Sequence, residues 1–295
     1  MNRQDVIKQF EGIKMWTRGS ERAPHKPLLL LMALGRVSRG ESPELPYRDV
    51  DRDLRQLLLD FGPRRKSYHP EYPFWRLQND GIWLVRDAEQ LPRRKGKDDA
   101  KRTELLRHNT AGCFTPEIQT ALQRDPGLVA EIAEMILEAN FATSLHDDLL
   151  AAVGLSLETG TTRKSKRDPA FREKVLRAYE HRCAVCGFDL RLGSSDLALE
   201  AAHIMWHQAG GPDVESNGLA LCSIHHKMLD RGAFTVSNEY RVLVSQEVFG
   251  SSGMEEYLLR FHGYRIRDPQ SADYLASPDY LDWHRKEVFR NPARS

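Results

Sequence analysis

The chain has no apolar run longer than Leu28–Leu34, only four cysteines and a formal net charge of just +1. A run of that length cannot span a bilayer, which takes about 20 apolar residues, so a membrane-spanning helix is excluded. The first twenty residues are strongly polar, which argues against a signal peptide and makes a cytoplasmic protein the expectation. So few cysteines in 295 residues exclude a disulfide-stapled secreted scaffold. The near-zero net charge excludes a polycation that binds by bulk charge alone. Hydrophobic residues make up 40% and charged residues 29%, a balance that excludes global disorder. The length allows two domains of ordinary size, and no internal repeat is visible.

What is present is unevenly placed. Residues 160–191 carry nine Lys and Arg against four acids, and residues 61–107 carry twelve against seven, so two stretches favour phosphate contact. Three of the four cysteines, Cys183, Cys186 and Cys222, fall close together, with the pair His225-His226 just after them. In a chain without a secretory context, such a cluster points to a metal rather than to disulfides. Cys113 stands apart and reads as a small buried or half-buried side chain.

From Asn2 to about Leu155 the pattern is mostly helical. Val6, Phe10, Ile13 and Met15 suit an amphipathic helix, Pro27 with the Leu-rich run a buried one, and Leu54, Leu57, Leu58 and Phe61 a third. Phe74 to Val85 places Asn79-Asp80-Gly81 between two apolar-aromatic runs, which predicts a β-hairpin. Pro116 to Phe141 is helical again, broken at Asp125-Pro126-Gly127. Residues 156–168 are small, polar and basic and read as a linker. A helix from Pro169 to about Tyr179 then opens a second domain. The expected fold class is α+β: a mostly helical domain over 1–155 with a β-hairpin, the linker 156–168, and a zinc-stapled domain over 169–295.

Cys183-x2-Cys186 closes a tight loop at Gly187, and Cys222-x2-His225 supplies a second pair at the start of a helix. Four such N/S ligands make a closed tetrahedral zinc site. Leu197 to Ile204 alternates as a strand ending at His203, and Asn217-Gly218 turns into a short strand before the helix over 222–230. Adjacent helical residues point about 100° apart, so one of His225 and His226 faces the zinc and the other a cleft.

His203, Asn217 and His226 resemble the His-Asn-His set of the HNH, or ββα-metal, endonucleases. The likeness covers roughly residues 169–290, including L-D-R-G-A-F after the helix. It implies phosphodiester hydrolysis with a divalent cation such as Mn2+ or Mg2+. His203 is then the general base and His226 a ligand of the catalytic metal. Asn217 either orients His203 or holds the loop between the strands. The position before His203, acidic in many HNH enzymes, is Ala202 here; Glu200 and Asp230 are the nearby acids, and His284 has no assigned role.

In the first domain, His25-Lys26-Pro27 precedes the Leu-rich run, with Pro27 read as the first helical position, where helix N–H groups favour phosphate. Residues 67–77, S-Y-H-P-E-Y-P-F-W-R-L, mix aromatics, prolines and cations; Phe74 and Trp75 are expected in the core. These two strings resemble the sulfur-binding domain of McrA-like type IV restriction endonucleases, over roughly residues 1–155. The resemblance implies recognition of double-stranded phosphorothioate DNA through His25, Lys26, Pro27, Tyr72 and Pro73. Arg64, Arg65 and Lys66 would add phosphate contacts. Together the two resemblances imply a modification-dependent endonuclease that cuts near the mark. A double-strand break needs two active sites, so a homodimer is expected, and no membrane partner. The alternatives are an HNH enzyme reading another mark, such as modified cytosine, or a zinc-stabilised DNA-binding protein without catalysis.

Overall fold

The computed structural model describes residues 1–14, 19–94, 96, 98–156 and 169–295. Met15 and all of the expected linker except Ser156 lie outside the described residues. The chain separates into two compact units, Met1–Asn140 with His146–Thr162, and Phe141–Leu145 with Arg163–Ser295. Among the described residues, no helix is long and apolar enough to cross a membrane.

The first unit is built around one helix. Helix α1 (Arg3–Glu11) starts in a capping box, in which Asn2 and Asp5 each accept the other's backbone N–H. Helix α2 (His25–Ser38) buries every residue from Pro27 to Gly35, as a helix apolar on all sides must. Strand β1 (Leu45–Pro46) leads into α3 (Tyr47–Phe61), which buries Val50, Leu54, Leu57, Leu58 and Phe61 on one stripe. Then come α4 (Glu71–Arg76), β2 (Trp83–Val85), α5 (Arg102–Arg107) and β3 (Ala111–Phe114). Helices α6 (Pro116–Arg124), α7 (Pro126–Asn140) and α8 (His146–Val153) complete it. Helices α3, α4, α6, α7 and α8 all pack on α2.

The expected hairpin over Phe74–Val85 does not form. Pro70 caps α4, the chain continues as a 3₁₀ turn over Leu77–Asp80, and Gly81 ends it with φ +73°. The apolar-aromatic run that reads as a strand is instead core packing, since Phe74 stands edge-on to both Tyr47 and Trp83. Strand β2 pairs not with 74–77 but with β3, in an antiparallel sheet of order β1-β3-β2. The local Asn-Asp-Gly signal was outweighed by tertiary burial.

The second unit starts with α9 (Pro169–Ala178). A small ribbon, β4 (Arg191–Leu192) and β5 (Ser195–Asp196), precedes the central antiparallel pair β6 (Leu199–His203) and β7 (Gly218–Cys222). Helix α10 (Ser223–Asp230) follows directly, so the chain runs strand, strand, helix through the expected site. Strands β8 (Phe234–Val236) and β9 (Val242–Val244), α11 (Ser252–Tyr257) and α12 (Pro278–Glu287) close the unit. Helices α9 and α10 both pack on the β6–β7 pair. The register sets His203 opposite Gly218. A Cβ at Gly218 would meet Val175 of α9 at 2.3 Å, so only glycine lets α9 close over this end of the pair. His284, buried in α12, bonds Thr235 and donates to the Leu229 carbonyl, which ties α12 to the end of α10. Its role is structural.

Candidate functional site

Cys183, Cys186, Cys222 and His225 converge, with their ligand atoms all within 4.8 Å of one another. The Cys186 and Cys222 sulfurs stand 4.0 Å apart, and His225 Nδ1 lies 3.7 Å from Cys183 and 3.1 Å from Cys222. A zinc tetrahedron with thiolate ligands has edges of about 3.8 Å, so this donor set fits the ion. His225 Nε2 donates to the Tyr257 carbonyl at 2.9 Å. That bond puts the proton on Nε2 and turns Nδ1 toward the sulfurs.

On the other side of α10, His226 sits between two carboxylates. Its Nδ1 donates to Glu200 at 2.5 Å and its Nε2 lies 3.2 Å from Asp230. Burial works to lower His226, but Asp230 and Glu200 outweigh it and lift the ring to about 9. Burial would likewise raise Asp230, yet His226 holds it below the ordinary carboxylate value. Glu200 is held low by its hydrogen bond from His226.

His203 is buried at the end of β6, stacked on Phe171 with ring centroids 4.0 Å apart and planes 16° apart. Its Nε2 donates to Asp213 at 2.7 Å. With the proton held there, Nδ1 carries the lone pair that would accept a proton. His203, His226 and Asp230 share one small pocket with His207 and Ser144.

Asn217 does not bond His203. Its amide accepts from Met205 N at 2.9 Å and donates to the carbonyls of Met205 and Pro212, both at 3.0 Å. The loop that carries Asp213 is thereby tied back to the base of β7. Of the two arrangements open from sequence, the bonds show the second: Asn217 holds the loop between the strands. Asp213 was missed; its only sequence signal is an acid in the Gly-Pro loop just before Asn217. Ser144, from a segment far off in sequence, had no signal.

In the first unit, His25, Lys26, Tyr72 and Pro73 line a cleft of about 720 Å³ together with Arg65 and Lys66. Pro27 is not in that wall. Helix α2 begins at His25, with Pro24 as its cap, so Pro27 is its third residue and is buried in the first turn. Lys26 is also committed: its ammonium bonds Asp80 at 2.5 Å and the Lys14 carbonyl at 2.6 Å. It braces the wall more than it offers charge. Tyr72 is held flat by Arg76 and Arg94, whose guanidinium carbons lie 4.4 and 5.0 Å from the ring centre, and Arg94 also donates to its hydroxyl. Arg94 is anchored in turn on buried Glu71, and Arg76 on Asp99. The result is an apolar Tyr-Pro surface stiffened by arginines, set among cations.

Burial, with His69 and Arg65 nearby, pushes His25 down to about 4, so it lines the cleft as a neutral ring at pH 7. The unfolded chain therefore binds this proton more readily than the folded one between about pH 4 and 6.5. Stability contributed here should be full above that window and fall as pH drops through it. Urea unfolding of the full chain at stepped pH should show this loss, and His25→Gln should flatten it; an unchanged slope in the variant would refute the assignment.

Comparison with known proteins matches a family over each unit. Residues 3–158 match the family described as the ScoMcrA-like DNA sulfur-binding domain. The chain belongs to that family. Residues 183–237 match the HNH endonuclease family, a span that holds Cys183, Cys186, Cys222 and His225 together with His203, Asn217 and His226. Among solved structures, the chain is similar to the sulfur-binding domain of ScoMcrA complexed with phosphorothioated DNA, at 20% identity and TM-score 0.44, covering 50% of this chain and 94% of that one. It is similar to the corresponding SprMcrA domain with phosphorothioated DNA at 25% identity and TM-score 0.46, over 52% and 95%. The type IV phosphorothioation-dependent restriction endonuclease ScoMcrA matches at 21% identity and TM-score 0.43, over 59% of this chain and 38% of that one. No curated protein shows a significant match.

Proposed function

We propose that this chain is a type IV restriction endonuclease that binds phosphorothioate DNA through the cleft of its first unit and hydrolyses a phosphodiester near the mark with its second. The observation that carries the reading is the pairing of a matched sulfur-binding family over 3–158 with a matched HNH family over 183–237 in one chain. The chemistry of the cleft supports it. Sulfur is larger and less hydrated than oxygen, so an apolar wall of Tyr72 and Pro73 favours it where a hydrogen bond would not. Arg65 and Lys66 on the same wall suit the flanking phosphates.

In the second unit, His203 takes the proton from a water at Nδ1 as that water attacks phosphorus and the bond to the 3′-oxygen breaks. Asp213 keeps the ring in the tautomer that does so and stabilises its charged form. Phe171 fixes its plane, and Asn217 fixes the loop under it. His226 would hold a divalent cation through a ring nitrogen, and that ion would supply charge neutralisation at the phosphate and the leaving oxygen. Cutting both strands calls for two such sites, which a homodimer would provide.

Matched duplexes with and without one phosphorothioate linkage, incubated with the protein and Mn2+ or Mg2+, test the whole reading. Cleavage confined to the sulfur-bearing duplex is expected. Equal cleavage of both would remove the sulfur reader and leave the nuclease; a duplex bearing modified cytosine, cut in preference, would name the other mark.

A further inference from the structure

We propose that Asp230 is the carboxylate ligand of the catalytic cation, while Glu200 is a positioning residue that orients His226. This rests on reading the second unit as a metal-dependent nuclease. Three observations separate the two acids. First, they address different nitrogens: Glu200 accepts from Nδ1, and Asp230 faces Nε2 at 3.2 Å. An imidazole binds a cation through one nitrogen, and the hydrogen bond on the other sets which.

Second, the pocket chooses between the nitrogens. Asp230 and His226 both line the pocket that contains His203, the base, and Glu200 is not in that wall. A cation on the Nε2 side therefore shares a cavity with the base, as hydrolysis requires, while one on the Nδ1 side does not. Third, Asp230 is buried inside the unit, whereas Glu200 sits at the rim. The Asp230 side chain is 3% exposed, against 45% for Glu200. Trp206 donates to one Asp230 oxygen at 3.0 Å, and the Ser144 hydroxyl donates to the other. Glu200 rests on the Ser223 hydroxyl at the rim.

The i,i+4 spacing of His226 and Asp230 puts both ligands on one helical face, so α10 alone presents a nitrogen and an oxygen to one ion. Strand β6 then needs no acid beside His203. Ala202 there is fully buried, on the side of the strand away from the pocket that Ala201 and His203 line. The oxygen ligand has moved from the strand to the helix.

Mn2+ titration of the full chain, with its structural zinc retained and free Mn2+ read by electron paramagnetic resonance, tests this without reference to cleavage. Asp230→Asn and His226→Ala should each weaken Mn2+ about 100-fold or more, and Glu200→Gln about tenfold. Asp230→His should shift preference from Mn2+ toward Zn2+ or Ni2+, because imidazole replaces a hard oxygen; Glu200→His should not. Thermal unfolding and zinc content report whether each variant folds. Should the Asp230 variants fail to fold, anomalous scattering from wild-type crystals soaked in Mn2+ decides, with a peak expected between His226 Nε2 and the Asp230 carboxylate. Full Mn2+ affinity in Asp230→Asn, or a peak bound by Glu200, overturns the proposal and spares the nuclease reading. Unchanged Mn2+ binding in His226→Ala, or none in the wild type, would overturn both.

Discussion

Stripping the ion from Cys183, Cys186, Cys222 and His225, or replacing Cys183 with Ser, is expected to unfold the second unit. The ligands come from two separate stretches: the loop before β4, and the end of β7 running into the first turn of α10. Without the ion, Cys183 and Cys222 remain as buried thiols beside a buried imidazole. Structural zinc contributes about 10–16 kcal/mol in small zinc modules. Folded domains are stable by only about 5–15 kcal/mol in total, so the metal term decides the outcome against the apolar core. At roughly 2–4 °C per kcal/mol for a unit of this size, the second unit's transition should fall by more than about 20 °C. Calorimetry with a zinc chelator would show it as the loss of one of two transitions. Binding to phosphorothioate duplex should survive, because the cleft residues lie in the first unit. A chelated protein proven free of zinc that melts unchanged would sink this expectation.

Replacing His203 with Ala is expected to cut the rate of DNA cleavage about 10³-fold while leaving binding of the marked duplex within twofold. General-base catalysis contributes about 10²–10⁴-fold, and His203 is the ring that Asp213 holds in the proton-accepting tautomer. Asp213→Asn should cost less, since the ring keeps a partner and loses only the charge that stabilises its protonated form. The His203→Ala change also opens space against Phe171, which could slow the enzyme by loosening the fold. Added imidazole separates these causes. Partial rescue of His203→Ala by imidazole, with none for Asn217→Ala, is the expected pattern. Full cleavage in folded His203→Ala would remove His203 as the general base, and no cleavage by the wild-type protein with Mn2+ or Mg2+ would leave only the zinc-stabilised, non-catalytic reading.

Most of the second unit was legible residue by residue. The spacing of Cys183, Cys186, Cys222 and His225 limits how ligands reach one ion, and the adjacency of His225 and His226 forces them to opposite sides of α10. Both follow from local helix and loop geometry, which a sequence displays directly. In the first unit, the buried helix and the core placement of Phe74 and Trp75 were also legible. The hairpin was not, because the same aromatic run serves a strand or a short helix. Only packing against Tyr47 and Trp83 chose between them.

The chain by itself determined its two modules and the convergence of Cys183, Cys186, Cys222 and His225, and it put forward the proposed base and nitrogen ligand. These depend on residue type and short spacing. Tertiary structure alone decided how each side chain is spent. The Lys26 ammonium pairs with Asp80 even as its side chain lines the cleft, and Asn217 secures a loop instead of His203. Asp213 reaches His203 across ten residues, and Ser144 reaches Asp230 across eighty-six. Such pairings arise when distant segments are desolvated together and each buried polar group must find a partner. No local pattern records which partner that will be.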